Sequence, residues 1–88
     1  MEGSIAPLSL ADVYHSVPDS RLGWAVTKDG ETISRHRKQE SAEDAASHAG
    51  RQAARAGRTG HTVFHAQAGT ISAEHRYKND RDIRELNE

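Results

Sequence analysis

Cationic side chains are the most suggestive chemical feature of this sequence. Six Lys or Arg residues and only three acids lie in residues 33–58, although the 88-residue chain has a formal net charge of −1. Arginine can bind phosphate through two hydrogen bonds at once, and His36 or His48 would add positive charge below neutral pH. If one side of the fold presents these cations together, they form a patch suited to phosphates. The candidate anion-binding or nucleic-acid-binding residues are Arg35, Arg37, Lys38, Arg51, Arg55 and Arg58.

The same cations also fit a simpler interpretation, a solvated helix face whose last-turn arginines interact favourably with the helix dipole. The overall acidic balance and the 5% aromatic content are unlike those of most nucleic-acid-binding domains. The sequence also contains no ribonucleoprotein motif, recognition-helix signature or zinc finger. Nucleic-acid binding therefore stands as an alternative hypothesis.

Six histidines raise the question of a metal site. His61 and His65 point the same way on a predicted strand but stand about 13 Å apart along it, which is too far to hold one ion together. A site would need His15 or His75 to reach across from a neighbouring strand. Because the chain has no cysteine and no evident carboxylate partner, we expect no metal and no cofactor. We expect His65 to be half-buried and to donate to the backbone.

Motifs for catalysis are absent. The sequence has no Gly-x-Ser-x-Gly, no phosphate-binding P-loop and no cysteine nucleophile. Asn79-Asp80 fits a helix or turn cap better than an acid site, and Trp24 fits a core position better than a platform for stacking bases. A module of this size seldom encloses the ~300 Å³ that a small substrate needs. We therefore expect a protein that is not an enzyme and that has no small-molecule substrate.

One amphipathic helix, predicted from Ser41 to Gly57, positions several of these cations. Ser41 is expected to cap its first turn, Asp44 follows as a weak capping box, and Gly57 supplies the left-handed C-terminal position. The apolar face is a stripe of methyl groups about 100° wide, which allows close approach to a sheet. The stripe consists of Ala42, Ala45, Ala46, Ala49, Ala53 and Ala56.

Strand patterns lie on both sides of the helix. Alternating apolar residues and the turn signals at 18–20 and 29–30 predict three strands before the helix, and residues 67–70 predict a turn between two strands after it. The predicted strands are 13–17, 23–28, 31–37, 61–66 and 71–77. The third has Ile33 as its only large apolar residue, so it is expected at an edge or facing solvent.

Length and composition limit the fold to one small domain. Leu, Ile, Val and Phe together account for only thirteen of the 88 residues, so the core is thin. We expect a flexible lead-in at residues 1–11, a single α+β domain at 12–78, and a charged tail at 79–88 that can form a short helix. No apolar run approaches the ~20 residues that span a bilayer, and no basic region precedes a hydrophobic segment at the N-terminus. A cytoplasmic protein with no membrane partner is expected.

Several motifs together resemble one family. They are residues 23–30 (GWAVTKDG), the Ala-rich helix, residues 62–71 (TVFHAQAGTI) and residues 76–80 (RYKND). In this order and spacing the sequence is similar to the family of domains of unknown function numbered 2188, over residues 17–82. The resemblance implies a β-β-α-β-β module and carries no established activity. The sequence departs from the family pattern at Lys38 and Gln39, where the family usually has aliphatic or aromatic residues.

These observations predict a two-layer α+β fold, with an antiparallel sheet of four or five strands and the Ala-rich helix packed on one face. The opposite face must be polar, covered by the termini, or occupied by another molecule, and a second copy of the chain is the simplest occupant. Our main hypothesis is a non-enzymatic binding or accessory module. It would act through its open sheet face or its cationic strand and helix, on an unknown protein partner or as a homodimer. The alternative is a nucleic-acid-binding module that uses the six cations named above.

Overall fold

The computed structural model describes residues 11–78, which form five strands and one helix. The predicted lead-in, apart from Ala11, and the predicted tail lie outside the described residues, as does the predicted Asn79-Asp80 cap. The elements, in chain order, are β1 (Ala11–Asp19), β2 (Gly23–Lys28), β3 (Glu31–His36), α1 (Gln39–Arg55), β4 (Thr59–His65) and β5 (Ile71–Tyr77). All five predicted strands and the predicted helix are confirmed, with shifts of a few residues at their ends.

The sheet has the order β3-β2-β1-β4-β5, so β1 is the central strand. β1 pairs antiparallel with β2 and parallel with β4, whereas β2–β3 and β4–β5 are antiparallel. The α+β fold with one helix on the sheet is confirmed, but the sheet is mixed rather than antiparallel throughout. The physical reason is that α1 returns the chain to the end of the sheet where β3 began, so β4 runs in the same direction as β3 and β1. The β-β-α-β-β module corresponds to β2 to β5 with α1, and β1 joins its two halves.

The helix packs on the sheet through small side chains. Trp24, Val26 and Phe64 rise from β2 and β4 and form the core with Ala42 and Ala46. Trp24 is only 6% exposed, which confirms its predicted core position. The residues of α1 that are buried are Ala42, Ala46, Gly50, Ala53 and Ala54. The predicted alanine face therefore does pack on the sheet.

One edge of that alanine stripe differs from the prediction. Ala54 is fully buried, whereas Ala56 is exposed because the helix ends at Arg55 and Ala56 is its C-cap residue. The buried stripe consequently turns toward Ala54 in the last turn.

The predicted helix start, with Ser41 as the N-cap, was wrong by three residues. The helix begins at Gln39, and its N-cap residue is Lys38, which makes no side-chain capping hydrogen bond. The backbone amide of Ala42 already donates to the carbonyl of Lys38 at 3.2 Å, and the Gln39 side chain donates to Glu43 at 3.2 Å. Ser41 therefore lies inside the first turn, where its hydroxyl cannot act as the N-cap.

The predicted helix end is confirmed. Gly57 has a φ of +87°, a left-handed conformation that side chains disfavour. The amide of Gly57 donates to the Ala54 carbonyl at 3.0 Å, and the amide of Arg58 donates to the Ala53 carbonyl at 2.9 Å. These two bonds form a Schellman motif, which ends the helix and directs the chain into β4.

The helix and the sheet approach each other closely at two glycines. A methyl group on Gly60 of β4 would overlap the backbone of Gly50 in α1. A methyl group on Gly50 would instead lie 2.9 Å from the Tyr77 ring and 3.0 Å from the Thr62 side chain. Only at Gly60 is the obstacle backbone, which cannot move away without shifting the helix.

We therefore expect Gly60→Ala to lower the free energy of unfolding by about 1–3 kcal/mol, because it forces α1 away from β4. Gly50→Ala serves as the matched comparison: the side chains it meets can rotate, and alanine favours helix over glycine by about 1 kcal/mol. Urea unfolding of both variants measures the difference. An equal or larger loss in Gly50→Ala would contradict the backbone contact.

Two buried hydroxyls face the helix without hydrogen-bond partners. Ser16 of β1 and Thr62 of β4 are both 0% exposed, and neither side-chain oxygen has a partner among the described residues. A buried hydroxyl that lost its water without gaining a partner lowers stability.

Thr62→Val keeps the shape of the side chain and removes the unpaired hydroxyl. We expect it to raise the free energy of unfolding by about 1 kcal/mol. Thr27→Val, at a half-buried position on the other side of the sheet, is the control and should change stability less. Chemical unfolding of the three proteins tests this, and a destabilised Thr62→Val protein would show that the hydroxyl has a partner after all.

Candidate functional site

The side of the sheet away from α1 is the candidate functional site, and we call it the open face. Residues that pair directly across a sheet point to the same side, so the registers assign its members. Its apolar members are Val13, Val17, Ala25, Val63 and Ile71. Its ionisable members are His15, Asp19, Arg35, His61, His65, Glu74 and Arg76. No helix or strand of residues 11–78 covers this face.

Apolar residues occupy the middle of the open face. Ala25 and Val63 are 2% and 6% exposed, and Val13 and Val17 on β1 are half-buried. Ile71 at the start of β5 is 55% exposed. The open face therefore carries apolar residues and histidines on its inner strands β1 and β4, and charged residues on the outer strands β3 and β5.

Two histidines meet at the centre of the open face. His15 Nδ1 of β1 lies 3.1 Å from His65 Nε2 of β4, and the ring centroids are 5.3 Å apart. His65 Nδ1 lies 3.4 Å from the carbonyl oxygen of Gly69. If Nδ1 of His65 donates to that carbonyl, its Nε2 carries the lone pair and accepts from His15. The predicted half-buried His65 that donates to backbone agrees with this geometry, and His15 is the partner from a neighbouring strand.

The pKa of His15 is lowered from its ordinary value of 6.5, mainly because burial removes water from the ring. The histidines His65 and His61 add a smaller effect, since positive charge on either of them repels a proton on His15. His15 is therefore neutral at pH 7 and able to offer a nitrogen lone pair.

A hydrogen bond and an ion pair flank His15 and His65. His61 Nε2 lies 3.0 Å from Glu74 on the β5 side, and Arg35 Nε lies 3.3 Å from Asp19 on the β3 side. Arg35 is the only member of the predicted cationic set on the open face. Its pairing with Asp19 neutralises part of its charge.

The other predicted cations are spread over the segment between the end of β3 and the start of β4. Arg37 and Lys38 are exposed just before α1, whereas Arg51 and Arg55 are exposed in its second half. Arg51 also lies over the Tyr77 ring, with its guanidinium carbon 5.4 Å from the centroid. Lys38 and Arg55 are separated by about 25 Å along the helix. The six residues thus fall into separate groups rather than one patch.

Arg58 is held by an acid that the sequence analysis did not consider. Its Nε and a terminal nitrogen donate to the two carboxylate oxygens of Asp12, each at 2.8 Å. Lys28 approaches the same carboxylate at 3.5 Å. The pKa of Asp12 is held below its ordinary value of 3.8, chiefly by the hydrogen bonds from Arg58 and against the opposing effect of burial. This pair joins residues 46 positions apart, so no local pattern could reveal it.

Two further findings limit what the described residues can do. Residues 11–78 contain no group of three or more His, Cys, Asp or Glu side chains arranged to hold a metal ion. Within the same residues, no helix is long and apolar enough to cross a membrane.

We expect Asp12→Asn to lower the free energy of unfolding at pH 7 and to have a progressively smaller effect as pH falls below about 3.8. The pKa of Asp12 is lower in the folded chain than in the unfolded chain, where it is near 3.8. The ionised carboxylate therefore stabilises the fold fully at pH values above about 3.8, and this stabilisation is lost as pH falls through the pKa of the folded chain. Urea unfolding at several pH values measures this. Asp44→Asn, on the exposed side of α1, is the control. If Asp12→Asn lowered the free energy of unfolding by the same amount at every pH down to about 2, the ion pair would be contradicted.

Comparison with known proteins supports the family resemblance drawn from the motifs. A family model described as "Uncharacterized protein conserved in bacteria (DUF2188)" matches residues 14–77, which include all of β2 to β5, α1 and most of β1. Neither the curated proteins nor the solved structures gave a match. The chain belongs to the DUF2188 family of bacterial proteins.

Proposed function

We propose that this chain is a non-enzymatic binding module whose open face packs against a second copy of itself. The observation that carries the proposal is the one-sided cover of the sheet: α1 packs on one face, and the opposite face has no second layer within residues 11–78. Sheets with an apolar face gain stability by covering it. A thin core gives such a chain a further reason to associate.

The size of the open face suits a weak, reversible dimer. Five strands at about 4.8 Å spacing and about seven residues per strand give a surface of roughly 24 by 23 Å. Two such faces would bury about 1,100 Å² in flat projection, which is close to the lower limit of about 1,000 Å² for specific interfaces. The half-buried Val13 and Val17 of β1 and the exposed Ile71 of β5 would supply most of the apolar contact.

The charges of the open face are complementary under two-fold symmetry. Arg35 lies on the β3 side and Glu74 on the β5 side of the central strand. A two-fold axis parallel to β1 places the β3 side of one copy over the β5 side of the other. In such a dimer, Arg35 of each copy would lie near Glu74 of the other copy, which gives two equivalent contacts. Opposite charges at the rim of an interface favour the correct orientation.

The distribution of cations favours this proposal over nucleic-acid binding. Arg58 and Arg35 are engaged with Asp12 and Asp19, and the exposed cations lie at opposite ends of α1. A phosphate backbone binds best to a continuous basic surface. The proposed module works in the cytoplasm, a location consistent with a chain that has no cysteine for disulfides.

The charge pairing provides the test. We expect Arg35→Glu and Glu74→Lys each to weaken dimerisation about tenfold, because each change places like charges together at two symmetric positions. The double variant Arg35→Glu/Glu74→Lys should recover much of the lost affinity, since it exchanges the two signs across the interface, although it places a second carboxylate beside Asp19. Sedimentation equilibrium measures all three, with Arg55→Glu on the exposed side of α1 as the control.

The wild-type chain should change from a 9.7 kDa particle to one of twice that mass as its concentration rises. A single 9.7 kDa species up to about 1 mM would contradict self-association. Dimerisation that all three variants leave unchanged would place the interface elsewhere on the molecule.

A further inference from the structure

We infer that His15 and His65 form a two-ligand site for a divalent transition-metal ion of the Cu²⁺, Ni²⁺ or Zn²⁺ class. Imidazole nitrogen is a ligand that these ions prefer. The site uses residues of a single chain, so it does not depend on the proposed self-association. The sequence indicated that a metal site would need His15 or His75 to reach across from a neighbouring strand, and the structure brings His15 of β1 to His65 of β4.

The separation of the two nitrogens matches one metal ion. His15 Nδ1 and His65 Nε2 are 3.1 Å apart. Metal–imidazole bonds are about 2.0–2.1 Å long, so two of them at about 90–110° place their nitrogens roughly 2.9–3.4 Å apart. The rings are tilted by 39° to each other. Metal binding moves the His15 proton from Nδ1 to Nε2, and small rotations about the side-chain torsions then direct the lone pairs of His15 Nδ1 and His65 Nε2 to one point. The strands need not move.

The surroundings of His65 orient it as a ligand. Its Nδ1 faces the Gly69 carbonyl at 3.4 Å, which leaves Nε2 free to coordinate. A backbone carbonyl that accepts from the second ring nitrogen is the usual support of a metal-binding histidine. The carbonyl is itself fixed, because the turn is closed by Gly69 donating to Ala66 at 2.8 Å and Ala66 donating to Thr70 at 2.7 Å.

The number of protein ligands limits the kind of site. His61 is engaged with Glu74 and stands about 13 Å along β4 from His65. No set of three ligands exists within residues 11–78, so water would complete the coordination. Such a site is an exchangeable one, and Cu²⁺ should bind more tightly than Ni²⁺ or Zn²⁺.

Metal titration of the untagged full chain tests the inference. Isothermal titration calorimetry with Cu²⁺ and with Zn²⁺ should show one ion per chain and tighter binding of Cu²⁺, and bound ion should raise the unfolding temperature. His15→Gln and His65→Gln should each lower the affinity about tenfold or more. His48→Gln, on the exposed side of α1, is the matched control and should leave the affinity unchanged.

A second measurement needs no substitution. Substoichiometric Cu²⁺ should broaden the NMR signals of β1, the end of β4 and the following turn before those of α1. Broadening centred on His36, His48 or His75, or equal affinity in the wild type and both site variants, would overturn the inference.

Discussion

The backbone contact between Gly50 of α1 and Gly60 of β4 is the constraint on which the rest of the structure depends. Because of this contact, a helix with only alanine and glycine on its buried face lies close enough to the sheet to bury Trp24, Val26 and Phe64. Larger side chains on this face would hold the helix further from the sheet. The small residues instead let the two backbones approach and pack densely, although they bury little apolar area. The chain therefore covers one face of its sheet closely and has no further element in the described residues for the other.

The arrangement of charges follows from the same topology. β1 lies at the centre of the sheet, so its residues can meet partners from every part of the chain. Asp12 at its start binds Arg58, which follows the Schellman motif of α1, and Asp19 at its end binds Arg35 of β3. These contacts use two of the cations that the sequence offered as a phosphate-binding patch. The open face keeps a balanced set of charges around inner strands that carry apolar residues and histidines, which suits contact with another protein surface.

Local sequence patterns were sufficient for the elements of this fold but insufficient for its long-range contacts. Asp29-Gly30 and the left-handed Gly57 mark their turn and helix end by backbone chemistry that acts within a few residues. The helix start was mistaken because Ser41 has the right side chain, while the hydrogen bonds that decide the start come from Lys38 and Gln39. The parallel pairing of β1 with β4 depends on where α1 returns the chain, which no strand pattern encodes.

In the candidate site, too, the local pattern predicted positions within one strand but not the contacts between strands. Period-two alternation places His61 and His65 on one side of β4, but only the register of β1 on β4 reveals that His15 is the neighbour of His65.

We propose that α1 covers one face of the sheet through its close contact at the two glycines, and that the opposite, open face binds a second copy of the chain. An NMR dilution series of backbone amide shifts tests it most directly, because it locates association without any substitution. The account predicts that concentration-dependent shifts concentrate on β1 and β4, around Val13, Val17 and Val63, while the exposed positions of α1 stay constant. Shifts concentrated on α1, or spectra that do not change with concentration, would contradict it.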